Sequence, residues 1–170
     1  MIGNDVIDLV QSRKDSNWRR RGFVSKLFNE HEQLLIVNSP DPEIVVWLLW
    51  SMKEAAYKIW NRQTGIRKYI PKGLLCSVIE RSSCNATGEV ICEGKRYYTK
   101  TIVCPDFIHT IAVGELVHLG NIVEIEKGEI VKDAQGIPSI ILKDSGTHLP
   151  VSVSNHGRFE RIVAIQILST

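Results

Sequence analysis

Apolar residues recur along this chain in two rhythms, and the change falls near residue 65. Before it, the spacing is mostly helical. Residues 1–9 are the exception: Ile2, Val6, Ile7 and Leu9 are broken by Asp5 and Asp8, as in a strand that ends at a turn. Residues 12–28 predict a basic helix anchored by Phe23, Leu27 and Phe28, and residues 30–37 a second, short helix. The run Asn38-Ser39-Pro40-Asp41-Pro42 is a break. Asp41 then suits a helix N-cap, Pro42 the first turn and Glu43 the positive end of the dipole. The helix that follows, about residues 42–62, is apolar nearly all round over residues 44–50, which marks it as buried. Lys53, Glu54 and Lys58 lie further along it, and polar side chains in such a helix need a reason.

After Gly65 the pattern shortens to strands. Residues 88–92 and 96–104 flank Glu93-Gly94-Lys95, a hairpin signal, and residues 107–113 form another strand. Residues 121–126 and 129–131, separated by Lys127-Gly128, read as a second hairpin. Strands over residues 137–142, 151–154 and 161–168 complete the set. With no repeat and no low-complexity linker, residues 1–170 read as a single α+β domain, a long buried helix packed on a mostly antiparallel sheet.

Composition narrows the classes. At 170 residues, 44% of them hydrophobic and 24% charged, the chain can bury about 70% of its unfolded surface in one core. Residues 44–50 are the longest apolar run, far short of the ~20 residues a membrane helix needs. Asp5 falls where the apolar stretch of a secretion signal would lie, so a cytoplasmic protein is expected. A net charge of +2 argues neither for disorder nor for nucleic-acid binding. Cys76, Cys84, Cys92 and Cys104 form no close pair, so reduced thiols are expected rather than a zinc site. His109 and His118 read as ordinary strand or loop residues.

Two segments carry candidate chemistry. Asp5 follows Gly3, which permits close backbone approach and puts a carboxylate at a strand end. Glu54 and Lys58, four apart, share a face of the buried helix, and Ala55 and Ala56 predict a low surface beside them with room for a ligand. One carboxylate from each segment is too few for an all-protein metal cage. It is enough for Mg²⁺, which keeps waters and completes its shell with substrate phosphates. Lys58 would add a compact positive charge near those phosphates.

Gly3-x-Asp5 together with Trp50-Ser51-x-Lys53-Glu54-Ala55-x-x-Lys58 resembles the 4′-phosphopantetheinyl transferases. Gln135-Gly136-Ile137-Pro138 and Val151-Ser152-Val153-Ser154-Asn155-His156 are similar to the family's Gly-x-Pro strand and Ser-x-Ser-His turn, and residues 23–32 to a stretch of the holo-acyl-carrier-protein synthase branch. Residues 71–130 match less clearly, although residues 107–113 are similar to a late strand of the longer, surfactin-type branch. The resemblance implies transfer of the 4′-phosphopantetheine arm of coenzyme A to a serine of an acyl or peptidyl carrier protein, as in fatty acid biosynthesis, releasing 3′,5′-ADP. It implies that Asp5 and Glu54 hold Mg²⁺ and that Lys58 contacts phosphate. Ser154 and His156 would touch the nucleotide phosphates, and Gly65 would sit near the diphosphate. Glu54 or a water would accept the serine proton.

Three positions depart from the family pattern. Ile7 replaces the second acid of the longer branch and favours the two-carboxylate arrangement. Asn155 stands where the turn usually has histidine, with His156 next door. Ile59-Trp60-Asn61 is bulkier than the residues common after the motif lysine and predicts a different pocket floor. The segment order follows the short branch, which implies a homo-oligomer, such as a homotrimer, in which a neighbour's turn over residues 154–156 completes each site. The alternative is completion by the chain's own C-terminal segment. The basic run Arg13, Lys14, Arg19, Arg20, Arg21 and Lys26 reads either as a solvated face or as a dock for an acidic carrier helix. A non-catalytic relative that binds coenzyme A or a carrier protein is the alternative function.

Overall fold

The computed structural model describes residues 1–126, 129–142 and 146–166. It has four helices, α1 (Leu9–Asp15), α2 (Phe23–Leu27), α3 (Glu30–Val37) and α4 (Pro42–Thr64). Ten strands accompany them: β1 (Ile2–Asp8), β2 (Leu74–Arg81), β3 (Asn85–Cys92), β4 (Lys95–Val103), β5 (Phe107–Val113), β6 (Ile122–Glu124), β7 (Ile130–Lys132), β8 (Pro138–Ile141), β9 (His148–His156) and β10 (Phe159–Ile165). They form two five-stranded sheets, ordered β1-β5-β4-β3-β2 and β6-β10-β9-β8-β7, with every pairing antiparallel. The α+β class and the buried helix on antiparallel strands are as the sequence predicts.

Helix α4 is fixed at both ends. The Asp41 carboxylate accepts from the Ile44 backbone N–H and Pro42 opens the first turn. Gly65 ends the helix at φ +69°, donating its N–H to the Asn61 carbonyl, a conformation that costs glycine least. The helix lies on the first sheet, with Val46, Leu48, Leu49, Ala55, Ala56, Ile59 and Trp60 fully buried. At Gly3 of β1 the two backbones nearly touch: a Cβ there would meet the Ala55 carbonyl oxygen at 2.1 Å. β1 therefore lies directly against Ala55, and Ala56 is fully buried in the core, so neither lines an open space for a ligand. Ile59 and Trp60 belong to the core rather than to a pocket floor.

Lys53 has a structural reason to be buried. Its ammonium donates to Glu32 Oε1 at 2.8 Å and to the carbonyls of Pro71 and Leu74, which uses all three of its protons. Glu32 closes the capping box of α3 with Asn29 and accepts from the Cys76 backbone N–H at 2.8 Å. This fully buried pair ties α3, α4 and β2 together.

Three sequence expectations change. Residues 12–28 are two short helices, because the Asn17 side chain accepts from the Arg19 N–H and Gly22 takes φ +83°. Leu27 and Phe28 still reach the core. Strand β2 was not foreseen, since exposed Leu75 and Ile79 blur the inward alternation of Leu74 and Cys76. β6 and β7 do not form a hairpin: they edge opposite sides of the second sheet, because Ile122 and Val123 pair with β10 and β7 pairs with β8. Residues 127, 128, 167 and 168 of the expected elements lie outside the described residues. The β3–β4 hairpin is present, with Glu93 and Gly94 at positive φ in a two-residue turn.

Replacing Lys53 with alanine leaves Glu32 buried and uncompensated. The expected loss is about 3–5 kcal/mol, read by chemical denaturation. The double variant Lys53→Met/Glu32→Gln should recover part of that loss. Equal stability of Lys53→Ala and the parent would show that the pair does not hold these elements together.

Candidate functional site

The site forms where β1 passes between α4 and β9. Side chains alternate along a strand, so Asp5 shares the α4-facing side with Gly3, against Ala55, and with Ile7, in the α4 core. On α4, Glu54, Lys58 and Arg62 are spaced four apart and form one row. The Lys58 ammonium donates to the carbonyls of Asn4 at 2.6 Å and Val153 at 3.2 Å. The Arg62 guanidinium donates to those of Ile2 at 3.0 Å and Val151 at 3.3 Å. Both cations thus bridge β1 to β9, and Lys58 keeps one proton for another acceptor. Next in the row stands Glu54, half-buried and, among the described residues, without a hydrogen-bond or ion-pair partner.

From the other side, β9 offers Ser152, Ser154 and His156 to the backbone N–H groups of Asn4, Val6 and Asp8, at 2.9, 3.0 and 2.9 Å. The Ser154 hydroxyl also donates to Asp5 Oδ1 at 3.2 Å. His156 accepts through Nδ1, which puts the proton of its neutral ring on Nε2, 3.5 Å from Asp15 Oδ2. The turn that meets Asp5 is therefore the chain's own. This contact is the one expected where the chain's own C-terminal segment brings the turn to Asp5.

Burial raises the Asp5 carboxyl to about pH 7; nearby Lys58 pulls it down, Glu54 pushes it up, and the hydroxyls of Ser154 and Ser51 pull it down. Burial also raises Glu54, opposed by Lys58. It lowers Lys58, opposed by Asp5 and Glu54. Two carboxylates held at a cost in their charged form, beside one cation, are an arrangement a bound cation relieves. Among the described residues no group of three or more His, Cys, Asp or Glu side chains is placed to hold a metal ion. Asp5 and Glu54 are the carboxylates that could hold a cation here, and a set of one or two carboxylates suits Mg²⁺ better than a metal that needs a protein cage.

Three clefts share Trp50 in their walls. One, of about 190 Å³, includes Asp5, Asp15 and His156. A second, of about 240 Å³, includes Glu54, Tyr57, Arg67, Lys68 and Tyr69. A third, of about 220 Å³, includes Arg20, Lys26 and Tyr69. The sequence reading missed Trp50 as a shared wall, and it missed Arg67 and Lys68. A basic pair just after the helix-ending Gly65 was the available signal. Gly65 itself acts as the helix stop. His109 is a buried strand residue beside Asn4, its ring pushed down to about pH 4 by burial and then by Arg161 and Lys58. All four cysteines are free, Cys76 and Cys92 in the interior. No described helix is long and apolar enough to cross a membrane.

The basic run is divided. Arg13 is held by both Glu43 oxygens, at 3.0 and 3.1 Å. Arg19 stacks over Trp18 at 4.2 Å and Arg20 lies 5.5 Å from Phe23. Arg19, Arg20, Arg21 and Lys26 are exposed.

Searches of curated proteins and of solved structures gave no match. A family model, described as the 4′-phosphopantetheinyl transferase superfamily, matches residues 1–112. The match takes in Asp5, Glu54 and Lys58 and runs through β2 to β5, where the motifs alone were least clear. It ends before the segment with Ser154 and His156. It covers about two-thirds of the 170 residues and the helix and strand that build the carboxylate pair, and the chain belongs to the 4′-phosphopantetheinyl transferase superfamily.

Proposed function

We propose that this chain, in a family that transfers phosphopantetheine with coenzyme A as donor, carries the arm to a serine of an acyl or peptidyl carrier protein, in the manner of a holo-acyl-carrier-protein synthase, with Mg²⁺ held by Asp5 and Glu54. The observation that carries this reading is the carboxylate pair itself, one from β1 and one from α4, with Glu54 in a cleft wall and without a hydrogen-bond partner among the described residues. When bound, Mg²⁺ supplies charge neutralisation of the pyrophosphate and of the charge that develops on it.

The remaining work falls to side chains. The serine oxygen attacks the phosphorus that bears pantetheine, the P–O bond to the nucleotide breaks, and 3′,5′-ADP leaves. The serine proton passes to Glu54 or to a water beside it. Lys58, its third proton free of the two carbonyls, points charge at the same phosphates. His156 offers its Nε2–H to a phosphate oxygen in place of Asp15, and Arg67 and Lys68 add positive charge on the Glu54 side. Arg19, Arg20, Arg21 and Lys26 form the exposed basic face on which an acidic carrier helix docks.

Transfer is tested directly by weighing apo carrier proteins after incubation with coenzyme A and Mg²⁺. The expected gain is one phosphopantetheine per carrier, lost with EDTA and reduced about 10³-fold or more in Glu54→Ala. Binding of coenzyme A with no mass gain on any carrier would instead support a non-catalytic relative. Metal dependence should follow pH, because Asp5 must lose a proton near pH 7 to bind a cation. The Mg²⁺ requirement should rise ~10-fold per unit below that point and level off above it. A flat requirement from pH 5.5 to 8.5 would remove Asp5 from the metal site. Reversing Arg19, Arg20 and Arg21 to Glu should raise the carrier KM ~10-fold at low salt, with the gap closing as salt is added and kcat retained. An unchanged KM would place docking elsewhere.

A further inference from the structure

The β9–β10 hairpin is fastened to β1 at its tip. Buried Asp8 caps α1 and also accepts three bonds from Arg158, from its backbone N–H at 3.0 Å, Nε at 2.8 Å and Nη2 at 3.0 Å. Gly157 makes this approach possible: it sits at φ +54°, and a Cβ there would meet Asp8 Oδ2 at 2.5 Å. Behind the tip, Phe107 and Phe159 pack with ring centres 4.8 Å apart, and Arg161 lies 5.0 Å from the Phe107 ring. These contacts hold β9 in one register against β1, with Ser152 at Asn4, Ser154 at Val6 and His156 at Asp8.

The Ser154 rung differs from its neighbours in one respect. A hydroxyl has one proton and can accept as well. Val6 N–H occupies the acceptor side of Ser154, and its proton goes to Asp5 Oδ1. In this arrangement the hydroxyl has no proton left for a phosphate oxygen. Ser152, two residues earlier and fully buried, makes the same kind of bond to Asn4 N–H and has no carboxylate hydrogen-bond partner among the described residues.

We propose that Ser154 is a positioning residue for Asp5. It holds the Asp5 carboxylate through Oδ1, beside the Ser51 hydroxyl, and the Asp8–Arg158 clasp sets the rung on which it stands. The role differs from nucleotide-phosphate contact, and it rests on the reading of Asp5 as a Mg²⁺ ligand. Groups that orient a metal ligand commonly change metal affinity ~10–100-fold when removed.

The test compares Ser154→Ala, Ser154→Thr and Ser152→Ala for Mg²⁺ affinity by titration calorimetry without carrier protein, and for transfer rate against Mg²⁺ and against coenzyme A; the calorimetric affinity should shift in parallel with the Mg²⁺ requirement. Ser154→Ala should raise the Mg²⁺ needed for half-maximal rate about tenfold and leave the coenzyme A KM essentially unchanged. Ser154→Thr should restore the parent value. Ser152→Ala, which loses an equivalent backbone bond, should keep the parent Mg²⁺ requirement. An unchanged requirement in Ser154→Ala, an equal shift in Ser152→Ala, or a rise confined to the coenzyme A KM each overturns the proposal. If Ser154→Ala does not fold, Ser154→Cys, nearly the same size and a weak donor, is measured in its place with the same outcomes. Asp5→Asn separates the two levels: full Mg²⁺-dependent transfer in that variant removes the metal reading itself. Lost transfer in Asp5→Asn with an unshifted Ser154→Ala overturns positioning alone.

Discussion

One edge of one strand organises this molecule. β1 pairs with β5 on one side only, so its other edge presents backbone groups that must find partners in a buried setting. Left unpaired, each costs about 1–3 kcal/mol. The partners are side chains. Ser152, Ser154 and His156 of β9 take the N–H groups, and Arg62 and Lys58 of α4 take the carbonyls. The same bonds join the second sheet to the first and hold α4 across both. Asp5 sits on this seam, so the requirement to satisfy an edge and the placement of a carboxylate pair are met by the same residues.

The two motif lysines show how one helix divides its charges. Lys53 spends every proton on Glu32 and two carbonyls and is sealed from solvent. Lys58, five residues on, closes the β1–β9 seam with two protons and retains a third beside Asp5 and Glu54. A short motif therefore mixes a residue that holds the helix in place with residues that face the candidate site. Spacing alone does not separate them, because the distinguishing partners come from α3, β2 and β9.

Legibility in the sequence followed the range of the interactions. Helix α4 was readable with its cap, its proline and its buried face, because those signals are local. Asp5, Glu54 and Lys58 were readable as a group because residue type and helical spacing brought two of them together. The break at Asn17 and Gly22 was local too, but the apolar anchors on either side hid it. β2 was obscured by apolar residues on both of its faces. The opposite placement of β6 and β7 depended on strands more than 30 positions away in one case, which no turn signal encodes. Ala55 and Ala56 suggested a hollow, whereas the absence of a side chain at Gly3 filled it with backbone.

The seam also sets an order of events. The bonds from β9 to β1 close across 148 residues of chain, and the clasp from Arg158 to Asp8 across 150. Contacts so far apart in sequence are entropically late, since the loop between them must be closed before they contribute anything. During synthesis, β1 emerges first and waits with one edge bare until the β9–β10 hairpin has left the ribosome. A nascent chain that stops before that hairpin holds both carboxylates and neither the serine nor the histidine that line up beside them. The candidate site thus comes together only when the first strand and the β9–β10 hairpin have met.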